Sequence, residues 1–169
     1  HFVTRPSAMV PPFWNCAMRR YALSLSLLVL IAVVSVGSWA IGSAMIQARP
    51  SPVLPAALPS RDVRIATRDG LVIAATYTPG QQDRSSAVLL LHGTGSSRQA
   101  MARNAAWLAN LGYATLTIDL RGHGQSDPAN NSFGFFESRD AHAAFAWLKS
   151  RQGGAPVAVI GISLGGAAS

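Results

Sequence analysis

Residues 156–160 read Pro-Val-Ala-Val-Ile, a short apolar run that passes directly into Gly161-Ile162-Ser163-Leu164-Gly165-Gly166 and then two alanines. A run this short and this apolar predicts a strand buried on both faces of a parallel sheet. The small residues after it predict a reversal from strand to helix within a few residues. Such a reversal presses two backbones together, which only residues without side chains allow. A serine at its apex is held in a strained conformation that pushes its hydroxyl outward. The N–H groups opening the following helix then lie where they could hold a developing negative charge. A G-x-S-x-G pattern can also be no more than a tight strand–helix turn; the preceding strand favours the chemical reading.

The chain from residue 61 onward supports the same architecture. Arg61–Ala66 alternates, with Val63 and Ile65 on one side, and Asp69-Gly70 turns it into Leu71–Thr78. That pattern predicts an antiparallel hairpin. Ala87–Leu91 and Ala114–Leu120 predict two further strands. Met101–Leu111 carries Met101, Ala105, Leu108 and Leu111 at helical spacing and stops at Gly112. Glu137–Ser150 does the same with Ala141, Ala144, Phe145 and Leu148, ending at Gly153-Gly154. Strands and helices in this order predict an α/β fold, a mostly parallel sheet with flanking helices.

Two more motifs sit at strand ends. Leu91-His92-Gly93-Thr94-Gly95 follows the central apolar run, where a Gly-rich turn can present N–H groups to an anion. Gly93-Thr94-Gly95 also begins a dinucleotide fingerprint, with Asp119 placed as a ribose-binding acid. The third glycine position, however, is Arg98, where close packing needs a small residue. Asp119-Leu120-Arg121-Gly122-His123-Gly124-Gln125-Ser126-Asp127 follows the next strand and is dense in turn formers.

Together, a strand ending in HG, a strand followed by D-x-R-G-H-G-x-S, and the G-x-S-x-G turn resemble the α/β-hydrolase superfamily, in its serine esterase, lipase and peptidase-like branch. The resemblance covers about residues 61–169. It implies Ser163 as the nucleophile, the Thr94 and Leu164 N–H groups as the oxyanion hole, and no metal or organic cofactor. It implies hydrolysis of a carboxylic ester, thioester or amide through an acyl-enzyme, with a small-molecule acyl substrate. A non-catalytic hydrolase-fold binding module at the membrane is the alternative. His123 is expected to be structural and His142 a partly exposed surface residue. Glu137 and Asp140 occupy the first helical turn, where acids favour the dipole, so capping is expected of both.

A serine hydroxyl needs a histidine to take its proton and an acid to orient that histidine. The superfamily's chain order is Ser, then acid, then His. Six residues follow Ser163, none of them acidic or histidine. The chain begins with His1 and stops just after the turn, so an incomplete reading frame is expected. A polypeptide of these 169 residues is expected to be inactive and poorly soluble, with the edge of strand 157–160 open to association.

The N-terminal third reads differently. Residues 21–48 carry no charge, and an apolar run of about 20 residues can span a bilayer as a helix. Arg19 and Arg20 before it would hold that end in the cytoplasm and place the chain beyond Arg49 outside. A start at Met18 instead makes a signal segment with a Ser38-Trp39-Ala40 cleavage site and a loose twin-arginine pattern. A buried core helix is disfavoured, because the stretch has no polar face. Four prolines in Arg49–Ser60 predict an extended spacer. The expected divisions are therefore a basic segment (1–20), a transmembrane or signal segment (21–48), a Pro-rich linker (49–60) and a partial hydrolase domain (61–169). The domain would be membrane-anchored on the extracytoplasmic side, or exported after cleavage.

The formal charge of +7 does not point to nucleic acid. Four arginines and no acid lie in residues 1–60, and the remaining ten bases are interspersed with seven acids. A lone cysteine, Cys16, excludes a disulfide scaffold or a cysteine zinc site.

Overall fold

The computed structural model describes residues 12–169, with side chains from Met18 onward. The expected basic segment 1–20 therefore lies partly outside the described residues. Helix α1 runs Pro12–Ile46, starting ahead of the uncharged stretch. Its portion Met18–Ile46 is 29 residues long and wholly unburied. At 1.5 Å per residue it reaches roughly 43 Å, more than the ~30 Å of a bilayer's hydrocarbon core.

Residues Met45–Ser169 form a separate unit. Strands β2 (Arg61–Ala66) and β3 (Val72–Thr78) pair antiparallel, with Ile65 opposite Ile73. Strands β4 (Ala87–Leu91), β5 (Ala114–Ile118) and β7 (Val157–Gly161) are mutually parallel, and the sheet order is β2-β3-β5-β4-β7. Helix α2 (Ala102–Asn110), entered through a 3-10 turn at Arg98–Met101, crosses from β4 to β5, and α3 (Glu137–Lys149) leads into β7.

Every residue of β4 is buried, because the two helices cover opposite faces of the sheet. Val88 and Leu90 pack with Met101, Ala105 and Leu108 of the first crossover. Leu89 and Leu91 pack with Leu116, Ile118, Ala141, Ala144 and Leu148 on the other face. This is why the run is continuously apolar rather than alternating. β7 lies at the sheet edge, and Val159 and Ile160 are 37% and 45% exposed.

The Pro-rich segment departs from the expected free spacer. β1 (Arg49–Pro50) pairs in parallel with β6 (His123–Gly124). Val53 is buried, the Leu54 N–H donates to Gln99 Oε1 (2.9 Å) and the Ala56 N–H to Asp62 Oδ2 (3.0 Å). Proline prevents this segment from joining the sheet ladder but leaves its other N–H groups free to dock.

Candidate active site

β7 ends at Gly161, and helix α4 (Leu164–Ala168) begins three residues later. Between them Ser163 has φ 52° and ψ −112°, a conformation costing on the order of 1–3 kcal/mol that persists only when its surroundings impose it. The surroundings are backbone. A β carbon on Gly161 would sit 2.3 Å from the Gly165 carbonyl group, and one on Gly165 would sit 2.5 Å from Leu91 O. The Ile162 N–H donates to Leu91 O at 3.0 Å, fastening the turn to β4. The Ser163 side chain is left exposed.

The turn after β4 meets this serine. A β carbon on Gly93, the residue before Thr94, would lie 3.4 Å from Ser163 Cβ. Thr94 is exposed and Leu164 is buried. Neither N–H has a hydrogen-bond acceptor among the described residues. The structure thus brings Ser163 and Leu164 together in one turn and sets the Thr94 turn against them.

The loops around the site are clamped by buried polar groups. His92 Nε2 accepts the Leu120 N–H (3.1 Å), and its Nδ1 is assigned as donor to Gly93 O (2.8 Å). His123 Nε2 accepts the Gly95 N–H (3.1 Å), while its Nδ1 donates to Arg121 O (3.0 Å). Burial pushes the His92 pKa down, so this ring is neutral at pH 7. With both nitrogens of each ring committed, neither imidazole is free to take a proton from Ser163. His142 is exposed on α3, as expected.

The acids carry heavier structural duty than the sequence suggested. Asp119 is fully buried; it accepts the Arg98 backbone N–H (2.6 Å), the Gln125 N–H (2.9 Å) and the Arg98 guanidinium. It is therefore no ribose ligand, and the dinucleotide reading fails at both of its diagnostic positions. Glu137 and Asp140 lie in the first turn of α3 as expected, and both do more than favour its dipole. Glu137 gathers the preceding loop, accepting the Ser132 N–H (2.9 Å), the Ser132 hydroxyl (2.5 Å) and the Gly134 N–H (2.8 Å). These bonds hold its carboxyl below the usual range despite the opposing effect of burial. Asp140 is paired with Arg121 Nη2 at 2.8 Å, and Arg121 also reaches Asp69 at 2.8 Å. Burial alone would lower the Arg121 pKa; its hydrogen bonds to Asp140 and Asp69 outweigh it and push it up. Sequence reasoning missed this cluster. Its only signal was the density of turn formers in 119–127.

A cavity of about 580 Å³ lies between α2 and residues 53–60, and Ser163 does not line it. Among the described residues no three His, Cys, Asp or Glu side chains converge as a metal site.

The family model described as serine aminopeptidase, S33 matches residues 82–169, which contain β4, the clamped loops and the Ser163 turn. The chain belongs to the α/β-hydrolase superfamily. An esterase of Pyrococcus furiosus superposes with a TM-score of 0.61 at 30% identity, over 71% of this chain and 50% of that one. An α/β-hydrolase from a Penicillium species gives a TM-score of 0.57, also at 30% identity, over 64% and 39% of the two chains. An uncharacterized protein of Mycobacterium tuberculosis is 35% identical over 71% of this chain and 43% of its own. Danio rerio lysophosphatidylserine lipase ABHD12 is 33% identical over 54% of this chain and 24% of its own. The chain thus spans less than half the length of these two relatives. As in the expectation from sequence, this α/β-hydrolase carries a sheet with parallel strands and flanking helices, preceded by an apolar helix that fits a membrane anchor or a signal.

Proposed function

We propose that this α/β-hydrolase is a serine hydrolase of carboxylic esters, acting on a small-molecule acyl substrate at a membrane. The observation carrying the reading is the exposed Ser163 in its strained turn, with φ 52° and the Leu164 N–H beside it. In the proposed cycle Ser163 Oγ attacks the acyl carbon and its proton passes to a general base. The Thr94 and Leu164 N–H groups hold the oxyanion. The C–O bond to the alcohol then breaks, the alcohol takes the proton, and water releases the acyl group from Ser163. Thioesters and amides would follow the same path. The lipase and esterase names among the relatives support acyl-ester chemistry, and residues 21–48 would hold the domain near acyl lipids.

The general base is not His92 or His123, whose ring nitrogens are committed within the fold. A fluorophosphonate probe applied to the protein as its gene encodes it should label Ser163, and Ser163→Ala should abolish labelling. An encoded protein that fails to label would favour the non-catalytic binding module.

A further inference from the structure

The cavity of about 580 Å³ beside α2 has the volume of a small-molecule site, and none of Ser163, Thr94 or Leu164 lines it. Its space comes from the sequence. Ala102, Ala106 and Ala109 recur at i, i+4 and i+7, so one face of α2 presents three methyl groups where longer side chains would fill the gap. Pro55 and Pro59 line the side formed by residues 53–60, and a proline has no N–H to leave unpaired there. Thr76 and Thr78 of β3 and Thr117 of β5 form a third side. Their strand neighbours Ala75, Tyr77 and Leu116 alternate with them and pack in the core on the α3 face.

The polar groups along these walls define what can occupy them. Among the described residues that line the cavity, only Arg98 is charged, and its guanidinium is already taken. Nε donates to Thr76 Oγ1 (3.0 Å), Nη2 to Gln125 Oε1 (2.8 Å) and Nη1 to Asp119. A charged ligand would find no counter-ion. Two hydroxyl hydrogens, by contrast, are left over. Ser60 Oγ and Thr78 Oγ1 lie 2.7 Å apart and share one hydrogen, which frees the other to donate. Thr117 is only 4% exposed, and its hydroxyl reaches Thr76 O at 3.5 Å, beyond an ordinary O–H···O bond of about 2.5–3.0 Å. A buried hydroxyl with no nearer acceptor, on the wall of a cavity without a free charge, calls for an acceptor inside it.

We propose that this cavity is a further binding site, for a neutral small molecule with an apolar body and one acceptor oxygen, a carbonyl above all. The site is separate from Ser163, so the inference stands whether or not Ser163 is the nucleophile.

Benzophenone, a neutral ketone that inserts into nearby C–H bonds on irradiation, is the probe, applied to the encoded protein in neutral detergent. Labelling mapped by peptide mass spectrometry should saturate on peptides covering 53–60 and 98–110, and Ser163→Ala should leave it unchanged. 4-Benzoylbenzoate, the same framework bearing a carboxylate, should label these peptides at least about 10-fold less. Ala106→Trp fills the space and should cut labelling at least about 10-fold. Arg103→Trp, at an exposed position of the same helix outside the lining, should not change it. Thr117→Val keeps the side-chain shape and should raise the half-saturating concentration about 5-fold. Equal labelling by the anion, labelling that never saturates, or labelling that survives Ala106→Trp would overturn the proposal. So would adducts confined to residues 21–48, which would mark partition into detergent rather than binding. Unchanged thermal midpoints separate loss of binding from unfolding, and the comparison of the two ketones on the unsubstituted chain decides even where a variant fails to fold.

Discussion

Removing Asp140 should expose how the loop ahead of α3 is held. Asp140 has no solvent exposure and accepts the Arg121 N–H (2.8 Å), Nε (3.1 Å to each oxygen) and Nη2 (2.8 Å). Arg121 is itself only 4% exposed, so Asp140→Leu leaves a buried guanidinium with Asp69 as its one carboxylate. Breaking one side of such a pair costs about 3–5 kcal/mol. That is a large part of the 5–15 kcal/mol typical of a whole domain. Arg121→Leu should cost a similar amount, because it strands the carboxylate. Replacing both partners removes the uncompensated charge but still orphans the Arg121 N–H, so the double variant should lose about 2–4 kcal/mol. The coupling energy would then be at least about 2 kcal/mol. Urea unfolding at pH 7.5 measures all four corners. At roughly 4 °C per kcal/mol, each single variant should melt about 12–20 °C lower. A double variant whose loss equals the sum of the two singles would refute this coupling. So would a single variant costing less than about 1 kcal/mol.

Other perturbations test the rest of the fold. Gly161→Ala places a β carbon 2.3 Å from rigid Gly165 backbone, so a loss of more than about 3 kcal/mol is expected in denaturant unfolding; a near-neutral result would contradict the close packing of the turn. Acid should destabilise the fold through His92 and Glu137, whereas the Asp140 carboxyl, raised by its burial, works in the opposite direction within the carboxylate range. The His92 pKa is lowered by burial, and the Glu137 carboxyl is held low by its hydrogen bonds. For both groups the unfolded chain binds more protons, so stability falls as pH drops below about 6.5 and again through the carboxylate range. Flat unfolding midpoints between pH 7 and 4 would disprove this, and Glu137→Gln should remove part of the lower step. Finally, if residues 21–48 are a retained anchor, the protein should stay in the membrane fraction through alkaline carbonate; recovery as a shorter soluble chain would identify a cleaved signal instead.

What could be read in the sequence was local. The periodicities of 101–111 and 137–150, and the apolar run at 87–91, depend on which face each residue must bury, and the structure forms these elements. The run at 157–160 forms the expected strand but lies at the sheet edge with no residue buried; nothing in its composition says which strands flank it. The Ser163 turn was legible for the same reason, since its steric demands fall on Gly161 and Gly165, within two residues of it. Pairings across the fold were not. Arg98 meets Asp119 and Arg121 meets Asp140, partners 21 and 19 residues apart on different elements, and nothing in either neighbourhood names the other. Dipole logic placed Glu137 and Asp140 at a helix start but was silent on the loop and the guanidinium that they also hold, because it ignores what lies beneath the first turn. Proline content likewise predicted that 49–60 lacks helix, and it was silent on where that segment lies.

The docking of that segment has a mechanical consequence. α1 ends at Ile46, and Arg49 is already hydrogen-bonded to Gly122, leaving only Gln47 and Ala48 between the helix and the loop beside Gly95. Two residues reach about 7 Å. The apolar helix and the serine's loop are therefore joined by a very short leash. A pull on the helix would be carried into the pairing of β1 with β6 through those two residues. Lengthening the chain at Gln47-Ala48 would loosen that connection and leave every contact around Ser163 intact.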